Sequence, residues 1–481
     1  MTLLSLRTAH AGRACRRITA GVAVLALAAC APALQAPPLT ADASPPAGWV
    51  AATPETPADA YSYADTDWVA DFRSEALSAL IAEALAHNRD LRAAAARVAQ
   101  ARARARAAGA DLWPQLSLGV TGSGSRVGLK DGGTTTESYG VGADISWEVD
   151  LWGRLASSAR SAALTAEATA RDEAAARLSL AGQVADGWFG AIAARQQRDL
   201  ARETVTTYER AEHLVRARTQ AGLTSELDLK LAISNLESAR ALARLRDQQF
   251  GEARRRLEVL LGRYPAASVE TAAQLPALAG VPATGVPADV LARRPDLQAG
   301  YTRLMAAGYG VASARRALLP RLTLTGSIGD EGASLADAFD FHKMVATLVG
   351  QLTQPVFQGG RLRANVDLAK ATRDESVQTY AQSVLVAFRE VEDALGAEAQ
   401  LGAREAALAT SAQQAAAAER LAELQYTNGL TSILTLLDAQ RRNLDAQSQL
   451  LDARLARLTS RVRLHVALGG SLQPPSSQTQ G

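Results

Sequence analysis

Residues 139–151 alternate without a slip. Tyr139, Val141, Ala143, Ile145, Trp147, Val149 and Leu151 fall on one face, and Gly140, Gly142, Asp144, Ser146, Glu148 and Asp150 on the other. A period of two marks a strand whose sheet has one apolar and one wet face. The length suits a tilted transmembrane strand of about nine to eleven residues, with Tyr139 and Trp147 placed for interfacial aromatic girdles. A soluble hairpin packed on a core would show the same alternation. Residues 115–126 predict a partner strand, with Leu116, Leu118 and Val120 alternating with Gln115, Ser117, Gly119 and Thr121. A Gly/Thr-rich loop at 130–136 joins the two.

The rest of the first half reads as helix. Residues 71–110 are rich in Ala, Leu, Arg and Glu and lack Pro until Pro114, which stops them. Residues 155–219 form a longer Pro-free run that Ala221-Gly222-Leu223-Thr224-Ser225 interrupts. Gly222 suits the position just past a helix end, and Thr224 or Ser225 can cap the next helix. That helix runs to about Leu261 and stops at Gly262. Helices this long without internal caps signal a coiled coil.

The whole plan then recurs. Asp90-Leu91 returns as Asp296-Leu297 and Pro114 as Pro320, each 206 positions on. Gly153-Arg154-Leu155 returns as Gly360-Arg361-Leu362, Gly222-Leu223-Thr224 as Gly429-Leu430-Thr431, and Leu261-Gly262 as Leu468-Gly469, each 207 positions on. A register this long means a duplicated structural unit and not a short solenoid repeat. The second copy predicts a helix at 289–319, strands at 321–329 and 344–357, and a helix at 361–428 that is roughly 100 Å long. A return helix ends at Gly469.

The ends and the charge narrow the setting. Arg7, Arg13, Arg16 and Arg17 precede a short apolar run ending in Leu27-Ala28-Ala29-Cys30. That is an export signal whose end resembles a bacterial lipobox, so Cys30 is expected to carry diacylglycerol and an acyl chain. Ala31 after it suggests the outer membrane. Removing those four arginines takes the net charge from +2 to −2, which argues against a nucleic-acid partner. Cys15 lies in the signal, so a mature chain beginning at Cys30 has neither an intrachain disulfide nor a thiolate metal site. No run of about twenty apolar residues follows, so any membrane crossing falls to strands.

The expected organisation is a signal peptide (1–29), a lipid-anchored Pro/Ala-rich tether (30–66), a first repeat (67–264), a connector (265–287), a second repeat (288–470) and a disordered tail (471–481). Four strands cannot close a barrel, since the smallest have about eight, and open edges are not tolerated in lipid. Transmembrane strands therefore require an oligomer that pools them. Hairpins running on from the strand ends would extend the wall as a helical tube.

Val286-Pro287-Ala288-Asp289-Val290-Leu291-Ala292-Arg293-Arg294-Pro295-Asp296-Leu297 resembles the inter-repeat signature of TolC-like outer membrane factors. The likeness is to the lipoprotein (NodT) branch that serves resistance-nodulation-division efflux systems. Gln354-Pro355-Val356-Phe357-Gln358-Gly359-Gly360-Arg361 resembles that family's strand-to-helix junction, and Gly429 to Gln440 its second helical tip. The resemblance covers nearly the whole mature chain, in order. It implies a mixed α and β fold: an antiparallel transmembrane β-barrel shared by a homotrimer, four strands per chain, continuing into a long α-helical coiled-coil tunnel. It implies a passive exit duct for small molecules in the outer membrane, with a periplasmic adaptor and an inner-membrane pump as partners. A protein-secretion duct of the same fold and a non-conducting coiled-coil scaffold lipoprotein are the alternatives; the lipid-ready strand at 139–151 speaks against the second.

The resemblance also implies site residues. Gly222, Leu223, Thr224, Gly429, Leu430 and Thr431 match tips that meet the adaptor, although interhelical turns need the glycines anyway. Asp438, Asp228 and Tyr426 match residues around a periplasmic gate. Thr435 and Thr431 replace an Asp and an Arg found in some members, which leaves a single acidic ring and casts doubt on their salt-bridge latch. The chain shows no P-loop, no dinucleotide fingerprint, no metalloprotease motif and only scattered histidines, so neither catalysis nor a cofactor is expected.

Overall fold

A computed structural model describes residues 45–52, 68–128, 132–278, 280–338, 340, 342 and 344–470. Cys30, most of the tether and the 471–481 tail lie outside the described residues.

After a short 3-10 turn (Trp68–Phe72) come α1 (Glu75–His87) and α2 (Arg89–Ala110), then β1 (Gln115–Val127) and β2 (Thr134–Val149). The long helix α3 (Arg154–Gln220) turns into α4 (Glu226–Leu260). The second half repeats this with α5 (Pro287–Arg293), α6 (Pro295–Arg316), β3 (Arg321–Gly332), the one-turn α7 (Leu335–Ala338), β4 (Val345–Thr353), α8 (Arg361–Thr427) and α9 (Ile433–Ala467). The residues group into two compact units, one of 98–169 and 299–380, the other of 40–97, 170–298 and 381–470, among those described.

The first unit holds the strands. They form one antiparallel sheet in the order β1-β2-β3-β4. The register pairs Leu116 with Ile145, Trp147 with Leu324, and Leu322 with Leu352, so most apolar positions share a face, while Val127 of β1 and Val345 and Val349 of β4 fall on the opposite one. Asp144, Ser327 and Thr347 share the other. Leu116, Leu118, Leu348 and Leu352 on the apolar face are exposed in the single chain, and neither β1 nor β4 has an outer partner. The Trp147 ring N–H donates to the Leu112 carbonyl at 3.0 Å. The exposed aromatics near the strand ends are Trp113, Trp152 and Phe357.

The second unit holds most of the hairpins, from 170 and 381 onward, and a core beside them. Trp68, Phe72, Leu77 and Ile81 pack with Val184, Trp188, Phe189 and Ile192 of α3, Leu257 of α4 and Leu458 and Val462 of α9. The predicted single helices at 71–110 and 289–319 are each broken, and the two breaks correspond. Asn88 ends α1, donates to the Leu260 carbonyl (2.9 Å) and caps α2 by accepting from Leu91 N–H (3.0 Å). Arg294 ends α5, donates to the Ala467 carbonyl (3.4 Å) and pairs with Asp296 and Glu390. Each break thus satisfies the carbonyl that ends the return helix of its own repeat. Gly262 (φ 76°) and Gly469 (φ 75°) lie against these joints. A Cβ at Gly262 would stand 2.5 Å from the His87 carbonyl oxygen.

Part of the expected free tether is docked. Trp49 is buried, donates from its ring N–H to the Gly285 carbonyl (3.1 Å) and meets Phe388 edge-on. Val50 and Ala51 N–H donate to the two carboxylate oxygens of Glu392 at 2.8 and 2.7 Å.

Candidate gate and docking surface at the hairpin tips

Both hairpin turns are built the same way. Gly222 (φ 73°) lets Leu223 N–H reach back to the Arg218 carbonyl (2.8 Å), and Gly429 (φ 74°) lets Leu430 N–H reach the Gln425 carbonyl (2.8 Å). These close orphan carbonyls at the helix ends, which requires the left-handed residue that glycine supplies. Ser225 then caps α4 and Ser432 caps α9. Leu223 and Leu227 on one tip, and Leu430 and Leu434 on the other, are exposed. Thr224 and Thr431 are half-buried in the turns.

Two of the predicted gate residues occupy one corresponding position, the third residue of the helix after the turn. Asp228 closes a capping box with Ser225 and accepts from the Thr224 hydroxyl. The Thr224 hydroxyl, with Ser225 behind it, holds the Asp228 carboxyl below the usual carboxylate range. Thr435 accepts the corresponding role on α9, its N–H donating to Ser432 Oγ at 3.4 Å.

Asp438 stands apart from both. Its carboxylate is bound by Arg442 (2.6 Å) and Arg441 (2.9 Å) of its own helix, which lower its pKa. Asp445 also acts on Arg441, so two carboxylates and two guanidiniums share this stretch of α9.

Tyr426 is buried among Val215, Leu229, Ala422, Ile433, Leu436 and Leu437, and burial raises its phenol pKa. Its neighbour from the other hairpin is a residue that sequence reading missed. Arg218 donates to the Tyr426 carbonyl at 2.8 Å and lies over its ring, 5.1 Å from the centroid. Asp228 and Thr224 also act on the Tyr426 phenol. The structure therefore brings Arg218, Thr224, Asp228 and Tyr426 together, joining the tips within one chain, and leaves Asp438 and Thr435 on α9. Among the described residues no cluster has metal-binding composition, and no helix is long and apolar enough to cross a membrane.

A family profile described as outer membrane efflux protein matches twice, over residues 80–263 and 286–470. The chain belongs to that family. Outer membrane efflux proteins are channels, not enzymes, and the double match reproduces the internal duplication. Among curated relatives, the pyoverdine export outer membrane protein OpmQ of Pseudomonas putida is 36% identical, the alignment covering 91% of this chain and 94% of that one. The outer-membrane channel OprN superposes with a TM-score of 0.83 at 26% identity, covering 92% of this chain and 99% of that one. The open-state MtrE channel of Neisseria gonorrhoeae gives 0.80 at 30% identity, covering 92% and 98%.

Proposed function

We propose that three copies of this chain form the outer-membrane exit duct of a tripartite efflux pump. The sheet carries the reading. Its apolar face is exposed and its two edges are open, a state that lipid forbids and that pooling twelve strands would resolve. The helices continue the strands as a periplasmic tunnel. An adaptor meets the exposed tip leucines, and an inner-membrane pump of the resistance-nodulation-division class supplies the energy. Lipid on Cys30, as in the NodT branch, holds the assembly in the outer membrane. Small molecules pass through passively.

Asp438 lines the inner end of the duct in this reading, and a ring of carboxylates there favours cations. The test is single-channel conductance of purified protein in planar bilayers, wild type against Asp438→Ala. Small cation-preferring openings are expected. In the variant Arg441 and Arg442 lose their shared carboxylate, so the preference moves towards anions. Unchanged selectivity would remove Asp438 from the constriction. Silence in wild type, in Asp438→Ala and in Arg218→Ala alike would sink the pore.

A further inference from the structure

The junction between β4 and α8 carries a half-apolar hollow beside two arginines that have no carboxylate partner among the described residues. A cavity of about 410 Å³ is walled by Leu318, Val356, Phe357 and Leu362, with Arg361 and Arg363 at its side. Gln354 fixes one wall, its amide donating to the Leu318 carbonyl at 3.0 Å. Val356 and Phe357 are exposed side by side, at 91% and 87%, and adjacent exposed apolar residues are what mark a binding patch. Arg361 donates to Gln358 Oε1 at 2.5 Å, and neither arginine has a carboxylate partner among the described residues.

The first repeat shows what the corresponding place holds when the chain fills it itself. There Asp150 accepts from Leu155 N–H (3.1 Å) and Ala156 N–H (2.7 Å), and Glu148 neutralises Arg154 at 2.8 Å. In the second repeat Phe357 replaces Asp150 and Pro355 replaces Glu148. Both anions are gone, while Arg361 remains in the place of Arg154 and Arg363 is added. The hollow lies just past the end of β4 at Thr353, whose last residue on the apolar face is Leu352.

We propose that this hollow binds an anionic phospholipid of the leaflet at the strand–helix junction. The phosphate pairs with the arginines that line the hollow from the first turn of α8, Arg361 and Arg363, and an acyl chain runs along Val356 and Phe357. The inference rests on the strands being the membrane part of the duct. Each arginine near an anionic headgroup enriches it about fivefold, so the pair gives on the order of thirtyfold local enrichment.

The native tryptophans report on it. Trp152 is half-exposed, and its ring N–H donates to the Pro320 carbonyl at 2.7 Å, two residues from the Leu318 wall. The full protein is reconstituted in phosphatidylcholine vesicles. Tryptophan fluorescence is then read with a small fraction of either brominated phosphatidylglycerol or brominated phosphatidylcholine. The expected result is stronger quenching by the brominated phosphatidylglycerol. Arg361→Gln/Arg363→Gln should abolish the difference while leaving the common quenching intact. Phe357→Ala should weaken it. Equal quenching by the two lipids in wild type would overturn the proposal, as would a difference that survives the double variant. A second copy of the chain covering the hollow would give equal quenching too. Failure to insert, with no quenching by either lipid, would overturn the membrane reading itself. Circular dichroism and size-exclusion profiles matching wild type confirm that the variants fold.

Discussion

Arg461→Ala should loosen the hairpin unit at one identifiable place. The side chain is 0% exposed. It donates to Asp71 Oδ2 at 3.0 Å, to Glu398 Oε1 at 2.6 Å and to the Gly280 carbonyl at 3.0 Å. It therefore ties the segment before α1, the connector and α8 to α9. Removing one partner of a buried ion pair costs about 3–5 kcal/mol, because the other charge is left uncompensated. Here each carboxylate keeps a second partner, Asp71 its His465 (3.0 Å) and Glu398 its Arg457 (3.6 Å). The low end, about 3 kcal/mol, is the expected loss, or on the order of a hundredfold in an opening equilibrium. Hydrogen exchange read by mass spectrometry is the assay. Amides of 68–72 and of the connector near Gly280 should exchange on the order of a hundredfold faster, while those of β2 stay unchanged. Adding Glu398→Gln should recover part of the loss by removing the stranded charge. Uniform acceleration across the chain, or less than about a threefold change at 68–72, would refute the view that this network pins the segments.

Three further outcomes follow from local physics. Burial pushes the Asp186 carboxyl up to about 6, so the folded state holds its proton more tightly than the unfolded chain does. Its stabilising contribution is full below the unfolded pKa of 3.8 and is lost as pH rises through about 6; Asp186→Asn should flatten the stability profile between those values and raise the melting temperature at pH 7. Gly262→Ala places a Cβ 2.5 Å from the His87 carbonyl at a left-handed position, and should cost at least about 1–2 kcal/mol in a denaturant melt, whereas Gly222→Ala, with open space around it, should cost about 1 kcal/mol from backbone strain alone.

The sequence showed the strands, the hairpins and their turns because each is written locally. Alternation, proline-free runs and Gly-x-x-Ser turns need no distant partner. The breaks at Asn88 and Arg294 were missed for different reasons. Asn88 leaves the helix to serve Leu260, 172 residues away, which no window of sequence contains. Arg294 precedes Pro295, and the bias of a pre-proline residue away from helix was a signal open to use. The tip residues divide in the same way. Ser225 and Asp228 spell a capping box, so Asp228's structural duty was readable beside its expected gate role. Arg218 looks like any solvated helix arginine until folding brings Tyr426 beneath it.

The paired joints carry a mechanical consequence. In the first repeat a neutral amide holds the end of the return helix, and in the second a guanidinium flanked by Asp296 and Glu390 does so. A ring of three such chains would stand on six pillars whose hinges alternate in chemistry. Salt reaches the ionic hinge through the half-exposed Asp296 and Glu390, weakening it to the extent that the buried Arg294 allows, and spares the amide. Raising ionic strength would therefore soften every second pillar, and a nominally sixfold column would flex with only threefold symmetry.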